Sequence, residues 1–331
     1  MPLSIAINDD RQQWWTAPKE SGDNIEGMKI PYADLGRRIR YDSWFTTCAS
    51  TGGLMAYFKF IKKCYFICNP IIGEEVEVPM VPYDFYKEHS GPTWWGFGYS
   101  LSTKEYKLVH IGLPILYDDP KGIVWGVIYT LGSKSWRVIP HVPFPPVYQG
   151  NVESDGTLFW LICKGLYKGG TENIGSFDVR SENFRAWQGP LVDLNINEAC
   201  YYLVKLGDNI AFVRDNYSLN RRIWVLRDKE NELWINEYNL ISSVPSSLFR
   251  KDFQVICLWV NGELLAITQY KKTCIAYDAK KMELKKVTLP NFGENAHGNS
   301  KRLHFVISHA GSLISPRRIM EMGKKFSIDK E

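Results

Sequence analysis

Pairs of adjacent basic residues, with aromatic rings in similar polar stretches, are the side chains of this sequence best suited to bind another macromolecule. Aromatic rings surrounded by positive charge are typical of a protein-binding hot spot. We therefore select as the candidate partner-binding site Lys62, Lys63, Trp94, Trp95, Tyr148, Arg221, Arg222, Lys271 and Lys272. An alternative stays open for Trp94 and Trp95, which could instead begin a strand and pack in the interior.

Residues that could hold a metal or perform catalysis show no usable spacing. The six histidines are scattered along the chain without the spacing of a metal site, and neither a glycine-rich phosphate loop nor a nucleophile elbow occurs. Cys64 and Cys68 are the closest pair of cysteines, but residues four apart on a strand are separated by ~13 Å, too far to share one ion. We therefore expect buried free thiols in a reducing compartment, with no metal and no cofactor.

A polar turn followed by an apolar run recurs about every 50 residues. The unit is clearest at residues 154–163, where Asp155-Gly156 precedes an apolar strand, and equivalent turns lie at Gly52, near Lys104, and at Asp208, Gly262 and Gly311. A repeat of this length is typical of four-stranded propeller blades. The six starts predict an all-β fold, a six-bladed β-propeller.

The two ends of the chain are predicted to complete one blade together. The last repeat, which begins near residue 311, runs out of chain after its second strand. A propeller closes when one terminus completes the blade begun by the other, because this removes an exposed sheet edge. We therefore predict closing strands within residues 1–43, a propeller over 44–316, and a solvated basic tail over 317–331.

The predicted strand order places the long loops on one face of the propeller, since loops joining second to third strands and blade to blade emerge together. The five loops between second and third strands, one of them predicted over residues 215–222, carry eleven Lys and Arg residues, Arg214 among them, against four Asp and Glu residues, although the whole chain is only +4. This face should therefore favour an acidic protein partner. The alternative is that these charges are simply solvated.

Short motifs occur in a fixed order along residues 44–316. They include Cys68-Asn69-Pro70, Gly96-Phe97-Gly98-Tyr99, Gly156-Thr157-Leu158-Phe159-Trp160, Ile174-Gly175-Ser176-Phe177-Asp178 and Ser312-Leu313-Ile314-Ser315-Pro316. In this order they resemble the F-box-associated domain of plant F-box proteins. The resemblance implies a kelch-like propeller that is not an enzyme and that selects substrates for a Skp1–cullin–F-box ubiquitin ligase.

The front of the chain departs from that family. Residues 1–47 lack the leucine-rich helical F-box, led by a Leu-Pro pair, that the family carries upstream. We therefore expect contact with Skp1 and cullin only where an F-box is supplied. No apolar run approaches the ~20 residues of a membrane span, and the first residues do not form a signal peptide, so we expect a soluble protein of the cytoplasm or nucleus.

Two other functions are weighed against this one. A glycan-processing propeller enzyme would need paired carboxylates on inner strands, and Glu153 is the only acid that we place there. A nucleic-acid-binding module is permitted by the basic loops, but a pI of about 8.5 is weak beside the concentrated charge of such proteins. Both remain alternatives to the protein-interaction module.

Overall fold

The structure is a computed structural model of the 331-residue chain. The residues it describes are 3–9, 14–18, 28–29, 48–59, 64–82, 91–113, 124–147, 151–162, 173–190, 199–216, 220–241, 253–258, 262–268, 273–281, 283–287, 303–310 and 312–328. They divide into two compact units, one formed by residues 44–189 and 312–331, the other by 1–43 and 190–311.

The unit formed by residues 44–189 and 312–331 contains three antiparallel sheets of four consecutive strands. Their strands are β4 (Cys48–Thr51), β5 (Leu54–Lys59), β6 (Cys64–Asn69), β7 (Glu74–Glu77), β8 (Thr93–Ser100), β9 (Glu105–Gly112), β10 (Trp125–Thr130), β11 (Arg137–Ile139), β12 (Val152–Ser154), β13 (Thr157–Leu161), β14 (Ile174–Asp178) and β15 (Phe184–Trp187). Helix α1 (Pro316–Ile328) completes this unit.

The unit formed by residues 1–43 and 190–311 also contains three four-stranded antiparallel sheets. Its strands are β1 (Leu3–Asp9), β2 (Trp14–Pro18), β3 (Met28–Lys29), β16 (Ala199–Leu206), β17 (Asn209–Asn216), β18 (Asn220–Asp228), β19 (Leu233–Ile241), β20 (Phe253–Leu258), β21 (Leu264–Thr268), β22 (Thr273–Asp278), β23 (Glu283–Val287) and β24 (Leu303–Ala310). The prediction of a β-sheet protein is thus confirmed, apart from the one described helix.

Five of the sheets consist of four strands that follow one another in the sequence. Among the described residues there are thus five blades of the predicted kind, built from consecutive strands, rather than six. The remaining sheet, which we call the composite sheet, has the order β24-β1-β2-β3 and takes its strands from both ends of the chain. In it β1 pairs along its whole length with β24, from Leu3 opposite Ala310 to Asp9 opposite Leu303.

Turns with positive φ separate the strands at the positions that the repeat predicts. Gly52, Gly156 and Gly262 have φ values of 54°, 73° and 81°. A left-handed backbone is open to glycine without steric cost, so these residues let the chain reverse tightly between first and second strands. At Gly156 space is also restricted, because a Cβ would lie 3.1 Å from the carbonyl oxygen of Tyr99.

Each unit has its own apolar core. In one, Tyr65, Phe97 and Leu108 belong to a buried cluster that spans the sheets β4–β7 and β8–β11. In the other, Val213 and Ala266 belong to a cluster that spans the sheets β16–β19 and β20–β23. Burial of apolar strand residues against the neighbouring sheet therefore stabilises each unit.

Helix α1 replaces the solvated tail that the sequence predicted, because it packs against β6 and β7. The linker before it is held by Asn69, whose Nδ2 donates to the main-chain oxygens of Ser312 at 3.0 Å and Ile314 at 2.8 Å. Contact with the turn after β10 is so close that a Cβ on Gly323 would lie 1.9 Å from the oxygen of Gly132. No helix within the described residues has the length and apolar character needed to cross a membrane.

Candidate partner-binding surface

The structure tests only part of the predicted site. Lys62, Lys63, Tyr148, Lys271 and Lys272 lie outside the described residues. Trp94, Trp95, Arg221 and Arg222 are described, and all four lie on strands rather than in loops.

Trp94 and Trp95 are interior residues, which corrects their selection as surface anchors. Each side chain is only 6% exposed. Strand β8 begins at Thr93, so both tryptophans lie within the sheet. The ring of Trp95 lies edge-on to Tyr65 with centroids 5.3 Å apart, and the Trp95 carbonyl accepts a hydrogen bond from Asn151 Nδ2 at 2.8 Å. Their role is packing, the alternative that the sequence left open.

Arg221 is also misplaced by the prediction of a loop over residues 215–222. Strands β17 and β18 extend through this stretch and leave only residues 217–219 between them. The Arg221 side chain is 2% exposed, and its Nε lies 2.8 Å from Asp215 Oδ1 on the neighbouring strand. Burial raises the pKa of the Asp215 carboxyl, and the adjacent guanidinium offsets part of this effect. Arg221 therefore belongs to a buried ion pair and is not available to a partner.

Arg222 remains as the exposed candidate, on the opposite face of the same strand. The register places Arg222 directly across from Arg214 on β17 and from Asn239 on β19. Arg214 in turn lies across from Tyr201 on β16. Residues directly opposite on antiparallel strands share a face. A row of Tyr201, Arg214, Arg222 and Asn239 therefore crosses the sheet β16–β19, and we call it the arginine row.

Aromatic side chains continue this face beside the arginine row. Phe212 and Trp224 are two residues from Arg214 and Arg222 along their strands, and they lie directly opposite each other. The ring centroids are 6.0 Å apart for Phe212 and Trp224, and 5.9 Å for Tyr201 and Phe212. Phe212 and Tyr201 are buried while Trp224 is half-buried. Packed aromatic side chains therefore lie beside the arginine row on the same face of the sheet.

Sequence reasoning counted Arg214 among the basic loop residues but did not select it, and it missed Asn239. Strict alternation along β17 and β18 was the available signal. It separates Asp215 and Arg221 on one face from Arg214 and Arg222 on the other. This alternation was overlooked because the charged residues in the stretch 215–222 were interpreted as a loop.

The residues considered for catalysis have structural roles. Glu153 accepts a hydrogen bond at 2.8 Å from the main-chain nitrogen of Gly156 and so supports the turn that marks the repeat. His110 is 1% exposed, its Nδ1 lies 2.5 Å from the Tyr65 hydroxyl, and burial lowers its pKa to about 3. Across the described ranges, no three His, Cys, Asp or Glu side chains are grouped as a metal site would require.

The described cysteines are free thiols. Cys64, Cys68 and Cys257 are buried, as expected for strand residues, whereas Cys200 is exposed. The expectation of buried thiols is therefore confirmed at three positions and wrong at Cys200. Cys200 is the second residue of β16 and lies directly across from Asp215 on β17.

Comparison with known proteins places this fold in a family. A family model described as the F-box associated beta propeller domain matches residues 8–310. The F-box protein At3g07870 of Arabidopsis thaliana is 27% identical over 310 residues, which cover 81% of this chain and 70% of that protein. The F-box protein At5g10340 of the same plant is 26% identical over 221 residues, covering 62% of this chain and 48% of its own length. This chain thus spans about half of the second relative.

A solved structure supports the architecture. A chain in the crystal structure of a nidogen/laminin complex superposes with a TM-score of 0.50, covering 92% of this chain and 98% of that one at 9% identity. At that identity the likeness concerns the fold alone. The family-model match over residues 8–310 shows that this chain belongs to the family of F-box associated β-propeller domains.

Proposed function

We propose that this chain is a non-enzymatic protein-interaction domain that selects substrates for a Skp1–cullin–F-box ubiquitin ligase. The observation that carries the proposal is the family match over residues 8–310, joined by relatives that are F-box proteins. The described residues support a binding role over catalysis, because their buried titratable groups serve turns, cores and ion pairs. Skp1 and cullin enter the proposal only through an F-box on the same polypeptide.

The partner surface that we propose is the basic face formed by the predicted loops and the end of the sheet β16–β19. Arg222 is its described, exposed residue, and Arg214 beside it adds a second positive charge. We propose as its other members the residues Lys62, Lys63, Tyr148, Lys271 and Lys272. An acidic partner fits this surface, since opposite charge increases the rate of encounter and selects among partners.

We also propose that the composite sheet closes the domain, because it joins strands from both ends of the chain. The pairing of β1 with β24 supports closure, because it covers the edge that β24 would otherwise expose. Closure would give the loops of the proposed partner surface a fixed scaffold, which recognition loops require.

Affinity purification from plant cells tests the ligase role. The chain is expressed as printed and, in parallel, fused to an F-box, and bound proteins are quantified by mass spectrometry. We expect one set of acidic proteins to be enriched with both forms, Skp1 to appear only with the fusion, and the shared proteins to become ubiquitinated only there. Shared partners that are never ubiquitinated with the fusion would contradict substrate selection.

The matched control is a single exposed arginine elsewhere in the chain. Arg222→Glu in either form should reduce the shared set, whereas Arg317→Glu, at an exposed position of helix α1, should not. Skp1 bound to the chain as printed would show that our interpretation of residues 1–47 is wrong.

A further inference from the structure

We propose that Arg214 and Arg222 together bind one oxyanion group, a carboxylate or a phosphate carried by a partner side chain. The inference rests on the proposed function, since it names the chemistry that the partner surface would recognise. It concerns the two guanidinium groups of the arginine row, which the structure brings together from adjacent strands.

Among the described residues, the two arginines are a pair of like charges without an acidic partner. They lie directly across from each other on β17 and β18, and like charges in that position destabilise an antiparallel sheet. Their register neighbours on the same face, Tyr201 and Asn239, carry no negative charge. Within the described part of the chain neither guanidinium forms an ion pair. An anion placed between them would therefore remove a repulsion that the described residues leave in place.

Other basic side chains near this sheet show the contrast. Arg221 pairs with Asp215, and Arg227 forms a two-pronged ion pair with Glu237. Asp215 faces away from the arginine row, because successive residues of a strand point to opposite faces. Arg221 and Arg227 of β18 thus each have a carboxylate partner, while the arginine row receives no carboxylate from the described residues.

A buried donor points to the same ligand. The Nε atom of Arg214 is buried, and among the described residues it has no hydrogen-bond partner. A buried donor without a partner costs about 1–3 kcal/mol, and more when it is charged. The planar guanidinium group presents paired N–H donors that match the paired oxygens of a carboxylate or phosphate. A water molecule or an ammonium ion as ligand has no such pair of acceptor oxygens.

The neighbourhood of the pair suits a partner side chain rather than a free ion. Arg222 is exposed and Arg214 is half-buried, so the pair leads from solvent into the sheet. Trp224 lies on the same face, two residues along β18, and is half-buried as well. An aromatic surface beside two arginines is the composition in which interface hot spots concentrate. The anion would enter at Arg222 and reach the Nε of Arg214.

Nuclear magnetic resonance on the full chain tests the proposal. The Nε–H signals of arginine are followed while inorganic phosphate or acetate is added at constant ionic strength maintained with chloride. We expect the Arg214 signal, assigned with Arg214→Lys, to shift in a saturable way. Arg222→Gln, which changes an exposed residue, should weaken the apparent affinity roughly tenfold, as loss of a charge-assisted contact predicts. The control Arg317→Gln with Arg318→Gln lowers the net charge but should leave the titration unchanged.

Each result decides the proposal. A saturable shift with phosphate alone supports a phosphorylated partner, and a shift with both anions supports a carboxylate as well. No saturable shift of Arg214, or an equal weakening by the control variant, would overturn the site. Because small anions and the isolated chain suffice, the outcome is independent of Skp1 and ubiquitination. A failed ligase experiment would thus remove the function while leaving the anion site standing.

Discussion

Truncation of two neighbouring arginines of β18 should change stability by very different amounts, because they lie on opposite faces of one strand. Arg221→Ala leaves the buried Asp215 carboxylate without its partner, and loss of one member of a buried pair costs about 3–5 kcal/mol. Arg222→Ala changes an exposed side chain and should alter the free energy of unfolding by less than about 0.5 kcal/mol. Urea denaturation followed by circular dichroism measures both.

The double variant Asp215→Leu with Arg221→Met sharpens this test. Apolar side chains of similar volume often replace a buried ion pair without loss of stability, so the double variant should be more stable than Arg221→Ala alone. Equal losses in the single and double variants would mean that packing by the arginine stem, and not an unpaired charge, sets the cost.

At the scale of elements, Asn69 should control the docking of helix α1. Its side chain is fully buried and holds two main-chain oxygens of the linker, while its Oδ1 accepts from the Ile71 nitrogen at 2.9 Å. Asn69→Ala leaves these groups unsatisfied, at about 1–3 kcal/mol for a buried group. We expect faster hydrogen exchange of the amides of α1 in this variant.

The exposed Arg318 offers the comparison for that experiment. Arg318→Ala changes the helix surface without touching the linker and should leave exchange in α1 unchanged. Exchange that is also unchanged in Asn69→Ala would mean that contacts further along the helix, such as the 3.3 Å approach of the Tyr129 hydroxyl to Met320 Sδ, hold it in place by themselves.

The elements also show what the sequence could predict. Turn glycines and apolar runs place β5, β13 and β21 correctly, because a tight turn and a buried strand each have a local signature. The limits of β17 and β18 were misjudged, since their ends carry charged side chains that sequence rules assign to loops. Trp94 and Trp95 of β8 were selected as surface anchors although tryptophan is favoured in strands. Asp215 and Arg221 are charged, yet they lie within β17 and β18 because they form an ion pair with each other. This pairing can be recognised only from the register of the two strands. The docking of α1 depends on Asn69, which is 243 residues from Ser312 in sequence.

For the whole molecule, buried histidines should make stability fall with acid. Burial lowers the pKa of His110 to about 3 and that of His309 to about 4. Above the ordinary value of about 6.5 both the folded and unfolded chains hold neutral rings, and below it only the unfolded chain takes up protons. Each histidine should then cost about 1.4 kcal/mol per pH unit between 6.5 and its folded pKa.

Glu182 adds to the acid response at lower pH. Burial by itself would raise the pKa of its carboxyl, but the hydrogen bonds and positive charges of Arg137 and Lys107 together outweigh burial and lower the pKa. Its contribution is therefore present above the unfolded pKa and lost as pH falls through the lowered one. Urea midpoints from pH 7 to 3 should decline from 6.5 downward, and the decline should be shallower in His110→Gln. A flat profile between pH 6.5 and 4 would contradict the burial of both rings.

Removal of residues 1–20 tests closure by the composite sheet. The deletion takes away β1 and β2 and leaves β24 without its paired neighbour. An unpaired edge is a template for association, so we expect a lower melting temperature and concentration-dependent aggregation in light scattering. A truncated chain that melts at the original temperature and stays monomeric would overturn the closure model.

The pairing of β1 with β24 also sets the order in which the protein can be made. The ribosome releases Leu3 first, yet its partner Ala310 is synthesised 307 residues later. At about 5–20 residues per second, this interval is roughly 15–60 seconds. Throughout that time β1 has no access to β24, while the sheets of consecutive strands can form as they emerge. The composite sheet is therefore the last of the six to be completed during translation, and the growing chain must keep its first strand from pairing elsewhere until then.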